Sequence, residues 1–482
     1  MPFVPRFVTV LLIAALAGQS LRASELPELG DVASSELPLA MEKKIGQQIM
    51  HEIRWREASY LDDFDVETYL NQLGGRLTAV SSDPGFGFQF FPIDDPSINA
   101  FAMPGGYIGV HTGLMLAAQT ESELAGVLAH EISHVTQRHI ARQVFQSKQI
   151  TMASMAAMLV ALLAARSSGQ VAGAAIASSQ AGAISSQLAY SRDFERESDR
   201  LGFDILYKAG FDVRGMSDFF ERLQRAVRLY ENNAIAYLRT HPLSGERMTD
   251  MQNRQQSVAY RQVADSIDFH LVRAKLRAMQ GVPAEAVKDF SAQLRERKYA
   301  SLTAVQYGLA YAHYRARDWA AAAAAIDAAG KTRVSSAILE RLRADIRIAQ
   351  GDVGGGLAIY REAMVRFPLS QGLLYGYGGA LLKERRYDEA SRFVEAQLRN
   401  YPQDVRLYKM RAESQAGLGK VALQHQALAE VFALQGQTAG AIEQLQIAQK
   451  AGDANFFDMS AIDARLRELQ QRRLEELKEK RN

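Results

Sequence analysis

Residues 130–134 read His130-Glu131-Ile132-Ser133-His134, two histidines separated by about one helical turn. Residues four apart share one face of a helix, so both imidazole rings can reach one metal ion. Glu131 then lies beside that metal, where its carboxylate can take a proton from a water molecule. Imidazole nitrogens and a carboxylate together are ligands that suit zinc. The pattern therefore predicts the catalytic helix of a zinc peptidase.

The sequence around this pattern favours a helix with one apolar side. The apolar residues that form that side are Leu124, Val127, Leu128, Ile132 and Val135. Glu121 and Glu123 fall in the first turn, where negative charge suits the helix dipole. His139 lies five residues past His134, roughly 140° around a continuous helix, so we expect it to be structural or exposed. The third metal ligand must then come from elsewhere in the chain.

A pair of carboxylates downstream is the best candidate for that ligand. Glu195 and Asp199 are four residues apart and share a face of a second predicted helix. One carboxylate could bind the metal while the other orients a ligating imidazole. Glu197 should point away from that face. An acidic pair among arginines also occurs on ordinary solvated helix faces, so the pair is informative only together with residues 130–134.

An aromatic stretch and a glycine turn predict a small sheet before the metal helix. Residues 86–93 favour a strand, and residues 98–102 and 107–111 favour a hairpin around Pro104-Gly105-Gly106. His111 is expected to be a strand histidine. An edge strand beside the metal can pair with an extended substrate, which makes Asn99, Phe101, Gly105 and Gly106 candidate substrate-binding residues. The alternative is a hairpin that only packs under the helix.

The stretch 99–248 resembles the catalytic domain of the CAAX-prenyl-protease-like family of zinc peptidases. Four blocks carry the resemblance: residues 99–106, residues 130–134, the pair Glu195 and Asp199, and Thr240-His241-Pro242. The resemblance implies that His130, His134 and Glu195 bind one Zn²⁺ per subunit and that Glu131 is the general base. It also implies that His241 lies close to the metal, where it can occupy the open position and keep the enzyme latent. Tyr237 and Arg192 are possible oxyanion or substrate contacts.

Composition excludes several other classes of protein. The chain has 482 residues, which predicts two or three domains, and its apolar and charged fractions of 48% and 23% are typical of globular proteins. Cysteine is absent, which rules out thiolate metal ligands, thiol catalysis and disulfides. The net charge of +2, without a basic patch, argues against nucleic acid as a partner.

Two apolar segments bear on export and membrane contact. Arg6 precedes an apolar run over residues 7–17, which is too short to span a bilayer and predicts a signal peptide over 1–23. Cleavage is expected after Ala23, or else after Ala17; an uncleaved anchor is the alternative. Residues 152–188 contain a second apolar stretch followed by small residues. They predict either a lid that makes peripheral membrane contact or a helical hairpin packed on the catalytic domain.

A 34-residue period begins near residue 268. Trp319, Val353 and Tyr387 are spaced at this interval, as are Pro368 and Pro402. Such a period is typical of tetratricopeptide repeats. We expect about four helix pairs, the first irregular near 268–300, with the period slipping beyond Asp404. A final charged helix over 462–480 should cap the solenoid, with a thin seam of Leu466, Leu469, Leu474 and Leu477.

These features predict a mainly helical α+β protein with a gluzincin-type zinc peptidase domain over 24–262 and an all-α tetratricopeptide solenoid over 263–482. The chain is similar to bacterial envelope proteins that join such a peptidase to such repeats. The resemblance implies a periplasmic zinc metalloendopeptidase that degrades misfolded or stalled outer-membrane proteins and assists their assembly. Its expected partners are unfolded outer-membrane proteins and, through the repeats, the assembly machinery. A repeat-based chaperone or scaffold with a mostly latent peptidase is the alternative.

Overall fold

The computed structural model describes residues 38–56, 58–146, 191–229 and 236–479. The predicted signal peptide and the segment 152–188 lie outside these ranges. The described chain is mainly helical with one three-stranded sheet, which confirms the predicted fold class. Within the described ranges, no helix combines the length and the apolar character that crossing a bilayer demands.

The described residues before 257 form the part of the chain that contains the catalytic motif. Its helices are α1 (Leu39–Arg56), α2 (Phe64–Thr78), α3 (Thr112–Ala117), α4 (Glu121–Thr136), α5 (His139–Gln146), α6 (Arg192–Lys208), α7 (Arg214–Leu229), α8 (Tyr237–Thr240) and α9 (Gly245–Gln256). Its strands are β1 (Gln89–Ile93), β2 (Ala100–Met103) and β3 (Tyr107–His111). Residues 257–266 then lead into the repeats, and the predicted boundary at 262/263 falls in this connection.

The sheet has the order β1-β3-β2, with β1 parallel and β2 antiparallel to β3. The predicted hairpin is therefore present, and β2 lies at an edge of the sheet. The first strand is shorter than expected, since it begins at Gln89. The hairpin turn places Gly105 and Gly106 at φ 79° and 87°, a left-handed region that favours glycine. A Cβ on Gly106 would come within 2.8 Å of the Phe86 ring, so this position has no room for a side chain.

Helix α4, which contains residues 130–134, is the central element of the core. Every residue from Glu121 to Val135 is buried, including all five residues of the predicted apolar side. Thr120 caps the helix, because its hydroxyl oxygen accepts a hydrogen bond from the Glu123 N–H at 3.2 Å. The catalytic motif thus lies on a helix that is enclosed on all sides, which keeps its side chains in fixed positions.

The repeats form six helix pairs between residues 267 and 479, whereas about four were expected. The helices are α10 (Ile267–Met279), α11 (Pro283–Glu296), α12 (Leu302–Arg315), α13 (Trp319–Gly330), α14 (Ala337–Ala349), α15 (Val353–Arg366), α16 (Gln371–Lys383), α17 (Tyr387–Asn400), α18 (Val405–Gly417), α19 (Val421–Leu434), α20 (Thr438–Lys450) and α21 (Phe456–Glu479). The expected slip beyond Asp404 amounts to one residue, since the first helices of the last two pairs begin 33 residues apart, at Val405 and Thr438. The turns at Gly419 and Gly436 are 17 residues apart because they flank a single helix, which is half of one repeat.

The backbone shows the period more clearly than the side chains do. Arg317, Gly351, Arg385 and Gly419 follow one another at 34-residue intervals, and each has a left-handed φ between 56° and 89° in the turn inside a helix pair. The last helix begins at Phe456, earlier than expected. Leu466 and Leu469 are buried, whereas Leu474 and Leu477 are exposed, so only the first half of the predicted leucine seam packs on the solenoid.

The inner surface of the solenoid holds a short piece of the peptidase part, residues 60–67, which we call the docking segment. Its ion-pair partners in the repeats lie on the first helices of the pairs. Lys275 on α10 is 2.6 Å from both Asp63 and Asp65, and Arg341 on α14 is 3.0 Å from Asp65. Burial alone would raise the pKa of Asp65, but the two cations lower it overall.

The docking segment also contacts the later pairs. The rings of Phe64 and Tyr375, on α16, are 4.6 Å apart. Arg406, on α18, lies 2.8 Å from Asp62 and 3.0 Å from Glu67. Charge pairs and ring contacts therefore fix the peptidase part against four different repeats.

We expect Arg385→Gly to raise the free energy of unfolding by about 1 kcal/mol, because glycine adopts the left-handed conformation without the steric cost paid by arginine. Chemical denaturation measures the change. The matched control is Arg361→Gly, in the exposed interior of α15, which should lower stability by about 1 kcal/mol. Equal loss of stability in both variants would contradict this account of the turn.

We expect Lys275→Met to destabilise the docked arrangement by about 3–5 kcal/mol, because it leaves the Asp63 carboxylate without its buried cation. The change should appear as a lower denaturation midpoint and as faster proteolysis within residues 257–266. Lys288→Met, an exposed lysine on α11, is the control and should stay within about 0.5 kcal/mol of the unmodified chain. Identical behaviour of the two variants would show that the buried charges do not hold the parts together.

Candidate metal centre

Two histidines from α4 and one glutamate from α6 converge on a single point. The Nε2 atoms of His130 and His134 are 3.0 Å apart. Glu195 Oε2 lies 3.5 Å from the His130 nitrogen, and Glu195 Oε1 lies 3.5 Å from the His134 nitrogen. Ligand atoms about 2.0–2.2 Å from zinc at tetrahedral angles lie roughly 3.3–3.6 Å apart, so the observed spacing suits one ion. The three side chains that the sequence predicted as ligands are brought together.

A glycine on α6 allows this convergence. Gly202 lies against the backbone of His130, where a Cβ would be 3.1 Å from the His130 Cα atom. Any larger residue would push α6 away from α4 and carry Glu195 with it. The sequence analysis did not identify Gly202, because a single glycine within a helix gives no sign of what lies opposite.

Asp199 lies behind His130, as the spacing predicted. Its Oδ1 atom is 3.0 Å from His130 Nδ1, so this carboxylate faces the ring nitrogen that is not needed for the metal and leaves Nε2 free to bind one. Arg247, on α9, was not predicted and contacts both carboxylates. Its guanidinium is 2.6 Å from Asp199 and 2.7 Å from Glu195, and it donates to the Pro242 carbonyl at 2.6 Å.

His139 is buried and contacts the predicted metal ligand His134. We expected a structural or exposed residue, so only the structural part of that expectation agrees with its position. The angle of 140° assumed one continuous helix, but α4 ends at Thr136 and Arg138 has a left-handed φ of 51°. This kink turns α5 back, so that His139 Nδ1 lies 2.9 Å from His134 Nδ1. His139 Nε2 is 3.1 Å from Glu197, which therefore points away from the metal ligands as predicted but supports one of them indirectly.

His241 follows the short helix α8 and enters the same cluster. One ligand atom from each of His130, His134, Glu195 and His241 lies within 4.8 Å of all the others. His241 Nδ1 is 3.0 Å from Glu195, and its Nε2 is 3.6 Å from Glu131. The Tyr237 ring stacks on the His241 ring at 4.4 Å. The Tyr237 hydroxyl is buried and, in the chain as described, has no hydrogen-bond partner.

The chemistry of these donors suits a metal ion. Both carboxylate oxygens of Glu131 are fully buried and have no hydrogen-bond partner among the described residues. A buried carboxylate without partners is costly, and a metal with its bound water would relieve that cost. Two imidazole nitrogens and one carboxylate form a typical ligand set for catalytic zinc.

In the metal-free protein the two ligand histidines have pKa values shifted in opposite directions. Burial disfavours the charged form of both ligand histidines and lowers the pKa of His134 well below its usual value. At His130 burial is outweighed by hydrogen bonds to Asp199 and Glu195, which raise its pKa to about 9. Burial also opposes ionisation of Glu195, but the neighbouring His241 and the two ligand histidines lower its pKa overall. The carboxylate is thus available as a ligand.

The predicted substrate-binding residues lie on or next to β2. Asn99 is buried, its carbonyl accepts from the His111 N–H at 3.0 Å, and its side-chain oxygen has no partner in the described ranges. Phe101 is half-buried within β2, while Gly105 and Gly106 form the turn. The carbonyl of Ile98 accepts from the Tyr237 N–H at 3.1 Å, which ties this strand to the helix that precedes His241.

Comparison with known proteins agrees with this geometry. Residues 65–255 match peptidase family M48, and residues 347–413 match the tetratricopeptide repeat. The beta-barrel assembly-enhancing protease of Escherichia coli (strain K12) is 29% identical over 93% of this chain and 92% of its own length. A Vibrio cholerae protein assigned to the same protease type is 33% identical over 92% of each chain. The mitochondrial metalloendopeptidase OMA1 of Arabidopsis thaliana is 27% identical over 48% of this chain and 44% of its own.

The likeness to the Vibrio cholerae protein extends over 92% of both chains, so it includes residues from both the peptidase part and the repeats of this chain. The chain therefore belongs to peptidase family M48, as a metallopeptidase that carries tetratricopeptide repeats after its catalytic domain.

Proposed function

We propose that this chain is a zinc-dependent metalloendopeptidase of the bacterial periplasm, with one Zn²⁺ per subunit held by His130, His134 and Glu195. The single observation that supports this most strongly is the convergence of these three buried side chains beside Glu131, whose carboxylate oxygens have no hydrogen-bond partner among the described residues. The domain limits proposed are a signal peptide over 1–23, a peptidase domain over 24–262 and a repeat domain over 263–482.

The protein side chains have distinct roles in the proposed reaction. Zinc, when bound, would supply Lewis-acid chemistry by polarising the scissile carbonyl and by acidifying water. Glu131 accepts a proton from the attacking water and returns it to the leaving amine, which is general acid–base catalysis by one carboxylate. Asp199 holds the Nδ1 proton of His130 and fixes the tautomer of that ring. Arg247 contacts both Glu195 and Asp199 and offsets part of the negative charge of these two carboxylates, which lie one helical turn apart.

The substrate is proposed to bind as an extended strand along β2. This strand lies at the edge of the sheet, where its outer main-chain groups can pair with another strand. Asn99 and Phe101 supply the side chains there, and Gly105 and Gly106 shape the end of the cleft. Recognition through main-chain hydrogen bonds depends little on side chains, which suits an enzyme that acts on unfolded proteins.

The names of the relatives suggest the biological setting. Proteins named for enhancing beta-barrel assembly align with 92% and 93% of this chain. We therefore propose that the substrates are misfolded or stalled outer-membrane proteins, that the repeats contact their assembly machinery, and that residues 152–188 make peripheral membrane contact. The alternative is a chaperone or scaffold whose peptidase is mostly latent. The position of His241 inside the metal cluster favours a closed resting state and keeps that alternative open.

Glu131→Gln should abolish peptide hydrolysis and leave zinc binding intact, because the amide cannot accept the proton while all three ligands remain. The measurement is a casein digest paired with metal analysis of the purified protein. His134→Ala is the matched comparison, and it should lose both zinc and activity. Normal hydrolysis by Glu131→Gln would remove the proposed mechanism.

His241→Ala should raise the rate of casein hydrolysis several-fold if His241 closes the metal site at rest, because it vacates the position next to Glu195 and Glu131. The expected zinc content stays at one per chain. A large loss of activity with zinc retained would contradict the latch and would assign His241 to the reaction itself.

Complementation separates the two functions. In cells that lack the protein, Glu131→Gln should fail to restore clearance of stalled outer-membrane proteins, since the proposal assigns that task to peptide cleavage. Full rescue by this variant would support the scaffold instead.

A further inference from the structure

The two ligand histidines have different partners behind them. His130 has the common arrangement, in which its second ring nitrogen faces a carboxylate, Asp199, at 3.0 Å. The second ring nitrogen of His134 has a different kind of partner among the described residues. It faces another imidazole nitrogen, His139 Nδ1, at 2.9 Å. An imidazole can accept a hydrogen bond only at the nitrogen that carries no proton, so this contact sets strict conditions on both rings.

One arrangement of protons satisfies every contact in this row. His134 uses Nε2 towards the metal, so its Nδ1–H donates to His139 Nδ1. His139 must then carry its own proton on Nε2, where it donates to Glu197 at 3.1 Å. Arg142 holds the Glu197 carboxylate at 2.9 Å. The terminal carboxylate is therefore charged and fixed, which makes it a good acceptor.

Packing holds the His139 ring in the plane that this contact needs. The ring is fully buried and stacks on Phe194 at 4.4 Å with an interplanar angle of 9°. Ser198 lies beside it, with its hydroxyl oxygen 3.3 Å from His139 Nδ1. Phe194, Glu197 and Ser198 all belong to α6, the helix that supplies Glu195. Helix α6, which supplies the ligand Glu195, thus also holds His139, the residue behind the ligand His134.

We propose that His139 is a positioning residue. Its Nδ1 accepts a hydrogen bond from the His134 Nδ1–H, which fixes the tautomer and orientation of the His134 ring, and its own Nε2–H donates to Glu197. The inference rests on the proposed zinc site. It assigns the row His134–His139–Glu197 the task that Asp199 performs for His130. Loss of such an outer partner typically weakens metal affinity roughly 10–100-fold.

Two substitutions at position 139 separate this role from simple packing. Asparagine places its amide close to the position of Nδ1, so His139→Asn keeps an acceptor for His134 and loses the contact with Glu197. Glutamine places its amide close to Nε2, so His139→Gln keeps the contact with Glu197 and loses the acceptor for His134. Both are polar and of similar size, and a residue that served only packing would not distinguish them. His313→Gln, a histidine in the repeats, controls for loss of any imidazole.

The measurements are the Kd for Zn²⁺, by competition with a fluorescent chelator on the full-length protein, and the visible absorption spectrum of the Co²⁺-substituted protein. We expect His139→Gln to raise the Kd about 10–100-fold and to change the Co²⁺ spectrum. His139→Asn should stay within about threefold of the unmodified protein, as should His313→Gln. Thermal unfolding of the metal-free forms checks that each variant is folded, and Glu197→Gln, which is partly exposed, replaces His139→Gln if that variant does not fold.

If Glu197→Gln has to replace His139→Gln, it should raise the Kd for Zn²⁺ by a smaller factor, roughly threefold to tenfold, because an amide oxygen still accepts a hydrogen bond but carries no charge. Equal Kd values and spectra for the Asn and Gln variants, or an unchanged Kd in Glu197→Gln when it stands in, would overturn the positioning role. A lack of stoichiometric zinc in the unmodified protein would instead sink the proposed function. The two failures are therefore distinguishable.

Discussion

The arrangement of the metal centre depends on one buried cation, the guanidinium of Arg247. It lies between Glu195 and Asp199, two carboxylates one turn apart on α6 in surroundings that exclude water. Burial opposes the charged form of both carboxylates, and nearby positive charge counters that effect. Hydrogen bonds from Arg247 instead lower the pKa of Asp199 despite its burial. The same guanidinium binds the Pro242 carbonyl and so fixes the loop that carries His241.

The sequence allowed most of the ligand set to be predicted because each part of it is local. His130 with His134, and Glu195 with Asp199, are pairs four residues apart, and helical geometry alone places each pair on one face. Arg247 was missed since nothing in its own neighbourhood marks an arginine on a polar helix as buried. His139 was only partly understood because a left-handed residue at Arg138 ends the helix, and the sequence offers no glycine there to indicate the break.

The repeats show the same limit in another form. The period of 34 could be read from Trp319, Val353 and Tyr387, but the later pairs lack matching side chains and were undercounted. The turns kept the period where the side chains did not, because each helix pair needs one left-handed residue to reverse direction. Arginine fills that position in two of the six pairs, at Arg317 and Arg385, so a search for glycine alone misses both of these turns.

The docking segment has a mechanical consequence. In a solenoid each repeat contacts only its neighbours, so the curvature of the whole follows from the small rotation between one repeat and the next. Here residues 60–67 connect the peptidase part to α10, α14, α16 and α18 through ion pairs and a ring contact. These contacts hold the curvature of the solenoid fixed over these repeats. A protein partner must therefore fit a preset curvature between α10 and α18. Beyond α18 the solenoid also touches the peptidase part, where Gln437 Nε2 lies 3.0 Å from His51 Nε2 on α1.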